Sequence, residues 1–182
     1  MNYFGYLEGV NGVKTGFTNG AGRCLVTSTI RDNFNIITVV LGADTKKQRT
    51  RDSIKLIEYT YTNYDLINIE QLVNEEFERW KNINKKRIKI EKSALDKFEI
   101  SLGELEYRKY PIKKGTENLV DIRINAEYKW EAPVYKNMLI GVVDVYIDNE
   151  KIQETELKFS KHIPRKNIKD YVYELLCLYS YL

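Results

Sequence analysis

Apolar residues along the first part of the chain form short runs separated by turn signals. Arg23–Ile30 is rich in β-branched residues and predicts a strand. Asn35–Leu41 is nearly all apolar and predicts a central strand covered on both faces. Turn signals at Asn19–Gly22 and Arg31–Asn33 separate these runs from each other and from the strand before them. Together these segments predict an antiparallel meander of three strands.

A helical period follows between about Thr45 and Tyr64. Its apolar positions are Ile54, Ile57 and Tyr61. Residues at this spacing share one helix face, so this face is expected to pack on a sheet. Asp44 and Thr45 are both suited to cap the start of the helix.

From Asp65 onward the pattern consists of short runs between turn residues. The runs predicted as strands are Gln71–Trp80, Arg87–Glu91, Phe98–Leu102, Leu119–Ala126, Ile140–Ile147 and Lys151–Phe159. Several short strands with regular turns are typical of a small all-β sandwich. We therefore expect a β-rich domain to follow the helix.

The segment Asn167–Leu182 is again helical in its pattern. Its apolar stripe consists of Ile168, Tyr171, Val172, Leu175, Leu176, Tyr179 and Leu182. Basic residues cluster at its start, namely Lys161, Arg165, Lys166 and Lys169. A basic start with a Tyr-rich apolar stripe suits a helix that lies in a membrane interface. The alternative is a helix that packs on its own domain.

Composition narrows the class of protein. The 182 residues allow one domain or two small ones. A hydrophobic content of 43% is sufficient for a core, and 30% charged residues favour a soluble body. The net charge is only +3, with 29 basic and 26 acidic residues interspersed, so no nucleic-acid partner is predicted.

No cofactor or metal is predicted either. The chain has two cysteines and one histidine, without a Cys-x-x-Cys pair or other metal-ligand spacing. We interpret Cys24 as a small buried hydrophobe and His162 as an exposed linker histidine. We expect no signal peptide in this chain, and its sequence contains no run of about 18 apolar residues that could span a bilayer.

The stretch with the clearest chemistry is Lys14-Thr15-Gly16, which matches the third signature of the penicillin-recognising serine hydrolases. Its surroundings are more specific than the tripeptide. Val13–Thr18, Ala21–Val26 and Val39–Ala43 closely resemble the low-molecular-weight penicillin-binding proteins, the D-alanyl-D-alanine carboxypeptidases. The resemblance continues through Arg49 and Ser53–Ile57, and more loosely over most of the chain.

The resemblance implies an α+β fold. We expect 1–65 to be the C-terminal portion of a carboxypeptidase catalytic domain, with part of a transpeptidase-like sheet and a packing helix. We expect 66–160 to be a small all-β sandwich domain and 161–182 to be an amphipathic helix. In this family, such a helix commonly anchors the enzyme to the membrane.

The chain departs from the family in the motifs that carry the nucleophile. No Ser-x-x-Lys and no Ser-x-Asn occurs in it, and the sequence begins shortly before the third motif. In the family, the serine of Ser-x-x-Lys attacks the penultimate D-Ala carbonyl, a lysine takes the proton, and water then releases the shortened peptide. We therefore expect the C-terminal part of a carboxypeptidase, inactive by itself.

The resemblance also implies roles for individual residues. Lys14 would place an ammonium group in the cleft as the catalytic contribution of this chain. The implied substrate-binding residues are Thr15, Gly16, Phe17, Thr18 and Arg49. Thr15 and Thr18 would offer hydroxyls, Gly16 would allow close approach of the substrate, and Phe17 would give a backbone N–H to the oxyanion hole. Arg49 would bind the free carboxylate through its planar fork of donors, with Arg51 as the fallback.

The implied partners follow from the same family. They are a peptidoglycan stem peptide ending in D-Ala-D-Ala, β-lactams in the intact parent, and a membrane surface that holds the C-terminal helix. The implied location is extracytoplasmic, on the outer face of the cytoplasmic membrane. The alternative function is a non-catalytic β-domain with a membrane-docking tail in cell-wall assembly.

Overall fold

The computed structural model describes residues 7–95 and 97–179, without the side chains of residues 178 and 179. The chain forms two compact units. The first comprises Met1–Ile67 and Pro111–Glu117, and the second Asn68–Tyr110 and Asn118–Leu182. The predicted α+β class is confirmed, because the described residues combine helices with mainly antiparallel strands.

The elements run in this order: β1 (Val10–Thr18), β2 (Gly22–Arg31), β3 (Phe34–Ala43), α1 (Lys46–Asn63), β4 (Tyr64–Asn68), α2 (Ile69–Asn84), β5 (Lys89–Glu91), β6 (Ile100–Leu102), β7 (Lys109–Lys113), β8 (Val120–Ala126), β9 (Lys129–Glu131), β10 (Leu139–Ile147), β11 (Glu150–Phe159) and α3 (Ile168–Tyr179). A single 3₁₀ turn at Glu117–Leu119 precedes β8.

The first unit contains the predicted three-stranded antiparallel meander, in the order β1-β2-β3. β2 is its central strand. The prediction that the third strand is central and covered on both faces was wrong: β3 lies at the edge, and Ile37, Val39 and Leu41 are 68%, 53% and 71% exposed. Successive strand residues point to opposite faces, and α1 covers only the face that carries Thr38.

The helix predicted between Thr45 and Tyr64 is α1. Thr45 is its N-cap, where its hydroxyl accepts a hydrogen bond from the backbone N–H of Gln48 at 3.1 Å. The buried hydroxyl of Ser53 lies 2.9 Å from that of Thr27 on β2 and 3.0 Å from that of Thr38 on β3. Because these three groups satisfy one another, α1 packs closely on the sheet without an unpaired hydroxyl at this point.

A second group of contacts holds the far end of α1. The Tyr61 hydroxyl lies 2.9 Å from the backbone oxygens of Thr29 and Phe34. The Arg31 guanidinium pairs with the Glu58 carboxylate at 2.7 Å, and this hydrogen bond lowers the pKa of Glu58. Both ends of the helix are thus tied to the sheet, which fixes the position of its first turn.

The second unit contains a four-stranded antiparallel sheet in the order β6-β11-β10-β8 and a parallel pair of β5 with β9. Its buried side chains include Val134, Val143, Val145, Leu157 and Phe159. Five predicted strands are confirmed within one or two residues at one or both ends: β5, β6, β8, β10 and β11. The short strands β4, β7 and β9 were not predicted.

One predicted strand was wrong: Gln71–Trp80 lies within helix α2. The buried residues of α2 are Ile69, Val73, Phe77, Trp80 and Asn84, which is a helical spacing of three and four. Asn68 caps the helix and accepts a hydrogen bond from the N–H of Gln71 at 3.0 Å. This cap was visible in the sequence as an Asn directly before the apolar period.

Gly141 allows β8 and β10 to approach each other closely. A Cβ at this position would lie 2.0 Å from the oxygen of Asn125 and 2.6 Å from the Cα of Ala126. Both atoms are backbone, so the strands would have to move apart. The close approach coincides with an irregularity in the pairing of β10 with β11.

We expect Gly141→Ala to lower the free energy of unfolding by about 3 kcal/mol, because the added methyl group overlaps backbone atoms. The measurement is urea unfolding followed by circular dichroism. Gly20→Ala is the control, since a Cβ there meets no atom within 4 Å, and it should change the stability by about 0.5 kcal/mol or less. Equal stabilities of the two variants would contradict the close approach.

Candidate functional site

The Lys14-Thr15-Gly16 motif lies in β1, an edge strand of the three-stranded sheet. Val13–Thr18 is exposed throughout. Strand alternation places Lys14, Gly16 and Thr18 on one face and Thr15 and Phe17 on the other. The Lys14 ammonium donates a hydrogen bond to the backbone oxygen of Thr15 at 3.2 Å. The motif is therefore presented to solvent along its whole length.

Gly16 is positioned opposite Cys24 of β2. A Cβ added to Gly16 would lie 3.7 Å from the Cβ of Cys24, which is ordinary van der Waals contact. The surrounding protein therefore tolerates a side chain here. The missing side chain instead leaves room beside the strand for another molecule.

Arg49 lies in the first turn of α1 and is half-buried. Its Nη1 donates to the backbone oxygen of Cys24 at 3.2 Å. Because Cys24 pairs with Gly16, the structure brings Arg49 to the same end of the sheet as the motif. The buried Nε of Arg49 has no hydrogen-bond partner among the described residues.

The fallback candidate Arg51 has a different environment. Its guanidinium is 64% exposed and lies 3.8 Å from the carboxylate of its neighbour Asp52. Exposed ion pairs of this kind hold a side chain weakly. Of the two arginines, Arg49 is therefore the one fixed near the motif strand.

Two further residues complete this end of β1. Phe17 is 56% exposed, and the Arg23 guanidinium lies 4.6 Å from its ring centroid. The Thr18 hydroxyl accepts a hydrogen bond from the backbone N–H of Ala21 at 3.0 Å, so it stabilises the turn and keeps its own proton to donate. Sequence reasoning did not select Arg23, whose signal is its position opposite Phe17 in the hairpin.

The C-terminal helix α3 confirms the predicted helix as far as it is described. Asn167 accepts from the backbone N–H groups of Lys169 and Asp170 at 2.8 and 3.2 Å, and Asp170 accepts from that of Asn167 at 2.7 Å. This reciprocal pair is a capping box. The stripe residues Ile168, Tyr171, Val172, Leu175 and Leu176 are between 42% and 82% exposed. The side chain of Tyr179 and all of Leu182 lie outside the described residues.

The basic cluster before α3 is partly neutralised. Lys161 pairs with Glu99 at 2.9 Å, Arg165 with Glu131 at 3.4 Å, and Lys166 with Glu174. Glu131 also binds Lys92, at 2.6 Å. The acidic partners reduce the positive electrostatic potential that the basic residues would otherwise produce. This region is therefore attracted to an anionic surface more weakly than the number of basic residues indicates.

Among residues 7–95 and 97–179, no three His, Cys, Asp or Glu residues converge in a way that could hold a metal ion. In the same part of the chain, none of the helices has the length and apolar character needed to cross a bilayer.

The sequence matches two family models in succession. Residues 2–45 match that of D-alanyl-D-alanine carboxypeptidase, and residues 78–165 match that of the penicillin-binding protein 5 C-terminal domain. D-alanyl-D-alanine carboxypeptidase DacA of Haemophilus influenzae is 30% identical over 93% of this chain and 41% of its own length. DacF of Bacillus subtilis is 30% identical over 82% of this chain and 36% of its own length. The chain thus spans about two fifths of these relatives.

Solved structures show the same fold. Penicillin-binding protein 5 of Haemophilus influenzae has a TM-score of 0.58 at 24% identity, over 89% of this chain and 44% of that protein. The carboxypeptidase DacD of Francisella tularensis has a TM-score of 0.54 at 19% identity, over 88% and 38%.

These matches agree with one another, because in both of its matched segments the chain is similar to D-alanyl-D-alanine carboxypeptidases and penicillin-binding proteins. It matches the C-terminal part of the low-molecular-weight penicillin-binding proteins. The absence of the Ser-x-x-Lys and Ser-x-Asn motifs from the sequence agrees with the short match to the carboxypeptidase model.

Proposed function

We propose that β1 and Arg49 form one wall of the active site of a D-alanyl-D-alanine carboxypeptidase. The substrate would be a peptidoglycan stem peptide that ends in D-Ala-D-Ala. The observation that carries this proposal is the hydrogen bond from Arg49 to Cys24, opposite Gly16, with the Arg49 Nε left unpartnered. It supports a carboxylate site at the end of an exposed motif strand.

The proposed roles follow from the groups that the wall presents. Lys14 supplies an exposed ammonium that favours anionic groups and proton movement in the cleft. Arg49 binds the terminal carboxylate of the substrate through its charged N–H donors. Thr15 and Thr18 lie on opposite faces of β1, so each offers its hydroxyl group to the substrate from its own side of the strand edge. The N–H of Phe17 lies on the edge strand, where it is suited to stabilise the oxyanion of the tetrahedral intermediate.

The nucleophile must come from a polypeptide segment that carries Ser-x-x-Lys. The outer face of the sheet supports the need for such a segment, because Val26, Ile37, Val39 and Leu41 are exposed there. Contiguous apolar surface of this kind favours a covering partner. In the proposed enzyme, this face contacts the serine-bearing part of the catalytic domain, and β-lactams acylate that serine.

The chain by itself should not be labelled by a fluorescent penicillin, because labelling traps a serine of the Ser-x-x-Lys type and the sequence contains none. The measurement is a denaturing gel of the 182-residue protein after incubation with the probe. A stoichiometric labelled band would show another nucleophile and contradict this prediction.

We expect Arg49→Ala to lower kcat/KM for a peptide ending in D-Ala-D-Ala by about 100-fold, which corresponds to a loss of roughly 2.7 kcal/mol. The assay measures D-Ala release by this chain joined to the serine-bearing region of the Haemophilus influenzae relative.

Arg51→Ala is the matched control for this experiment. It removes the same charge two residues away, and its exposed side chain has only the weak pairing with Asp52. We expect its kcat/KM to stay within about twofold of the parent. Equal losses in both variants, or a loss only for Arg51→Ala, would overturn the assignment of the carboxylate site to Arg49.

A second candidate function is membrane docking through α3, on the outer face of the cytoplasmic membrane. The observation that favours it is the exposed apolar stripe of α3. This docking would serve the intact enzyme or a non-catalytic module of cell-wall assembly. Because acidic residues partly neutralise the basic cluster, we propose that apolar burial, which salt does not screen, supplies most of the affinity.

We expect Val172→Ser with Leu175→Ser to weaken binding to phospholipid vesicles by about tenfold or more, because two exposed apolar side chains are lost. The measurement is co-sedimentation with vesicles that contain anionic lipid, at low and high salt. Ile83→Ser, which removes a 65% exposed side chain from α2, is the control and should bind like the parent. Binding that disappears at high salt would contradict the apolar mechanism.

A further inference from the structure

The turn of residues 135–139, here called the 135–139 turn, presents an apolar surface outside the sites described above. All five residues are exposed, between the buried Val134 and Ile140. Tyr135, Met138 and Leu139 are 62%, 40% and 47% exposed. Large apolar side chains at the tip of a turn are not needed for its backbone geometry, so they call for another explanation.

The backbone of the 135–139 turn is held in place. The N–H of Asn137 donates to the oxygen of Phe159 at 2.8 Å, and that of Met138 donates to the oxygen of Tyr135 at 3.1 Å. Asn137 has a φ of 66°, a left-handed conformation that Asn tolerates. The exposed side chains are therefore displayed by a fixed turn.

His162 extends this surface. Its ring stacks on that of Tyr135, with a centroid distance of 5.3 Å and an interplanar angle of 28°. Both residues are exposed. The two rings together form one aromatic surface, here called the aromatic plate, and Lys136, Met138 and Leu139 follow Tyr135 in the same turn.

This plate is adjacent to the segment that leads into α3. Ile163 and Val134 exchange two backbone hydrogen bonds, at 3.0 and 2.8 Å. The oxygen of Pro164 accepts from the N–H of Ala94 at 3.0 Å, and the N–H of Lys166 donates to the oxygen of Lys92 at 2.8 Å. Backbone hydrogen bonds thus hold residues 163–166, here called the strap, against the rest of the second unit. Only Asn167 separates this strap from α3, so His162 lies within about 20 Å of the helix start.

We propose that the 135–139 turn and His162 form a second contact with the phospholipid interface, beside α3. Tyr and His rings have an apolar body and a polar edge, which suits the depth of the headgroups. Met138 and Leu139 supply apolar area, and Lys136 places an ammonium at the level of the phosphates. Residues 162–167 directly connect the aromatic plate to the apolar stripe of α3. Because the two surfaces are joined by so short a segment, we expect one lipid surface to bind both.

This inference rests on the proposed docking of α3, and it adds a consequence. One helix tethered to a bilayer leaves the attached domain free to rotate about the tether. A second contact on the body of the unit fixes the orientation of that unit against the surface. The affinity also rises, because the second contact forms within an already tethered molecule.

The test uses the full chain and the double variant Tyr135→Ser with Met138→Ser. We expect its affinity for phosphatidylglycerol-containing vesicles, measured by co-sedimentation, to fall about tenfold. Tyr107→Ser is the matched control, because Tyr107 is also exposed, at 41%, and its backbone bonds Gln153. Gln153 is six residues from Phe159 along β11, about 20 Å from the 135–139 turn.

A gain-of-signal measurement protects the test against effects on folding. Tyr135→Trp should add fluorescence that lipids brominated in the acyl chain quench, whereas Tyr107→Trp should not. If the full chain binds no vesicles, both α3 docking and this second contact are overturned. If it binds and the Tyr135 variants behave like the Tyr107 variants, the second contact alone is overturned. Binding of the 135–139 turn to a protein instead would likewise leave the added Trp unquenched by lipid.

Discussion

The packing of α1 on one face of the three-stranded sheet is the constraint on which the candidate site depends. The buried Ser53 hydroxyl lies within hydrogen-bond distance of both Thr27 and Thr38, so a shift of the helix along the strands would break these hydrogen bonds. The first turn of α1 therefore holds Arg49 against the Cys24 carbonyl. A residue 35 positions after Lys14 in the chain reaches the end of the motif strand only because this packing is rigid.

Much of the first unit was predictable because its signals are local. The strands, the turns and the Thr45 cap each follow from a few neighbouring residues. The motif and Arg49 were identified through the resemblance to the low-molecular-weight penicillin-binding proteins. The structure shows how the two come close together. Pairing across β1 and β2 brings Cys24, and through it Arg49, beside Gly16, and such a contact between distant segments has no local pattern.

The errors have two kinds of physical cause. The run Gln71–Trp80 contains enough apolar residues to resemble a strand, but its buried positions follow a helical period. The apolar run of β3 predicted burial on both faces, although only one face is covered within the described residues. The basic residues before α3 indicated a strong positive field, because their acidic partners Glu99 and Glu131 are distant in sequence. For β3 and for the basic residues the deciding contacts are non-local, whereas the helical period of α2 and its Asn68 cap are local signals.

The apolar outer face of the first unit and the exposed stripe of α3 require different kinds of partner to cover them. On the sheet, Ile37, Val39 and Leu41 belong to β3, an edge strand whose outward backbone N–H and C=O groups meet no further strand among the described residues. Only a polypeptide can satisfy both the apolar side chains and those polar groups. On α3 the backbone is satisfied internally, and Asn167 and Asp170 cap its first turn. A helix of this kind can enter a lipid interface without leaving backbone groups unpaired. Backbone hydrogen bonding therefore distinguishes the two surfaces. The edge of the sheet is suited to bind a protein segment, and the helix is suited to bind a bilayer.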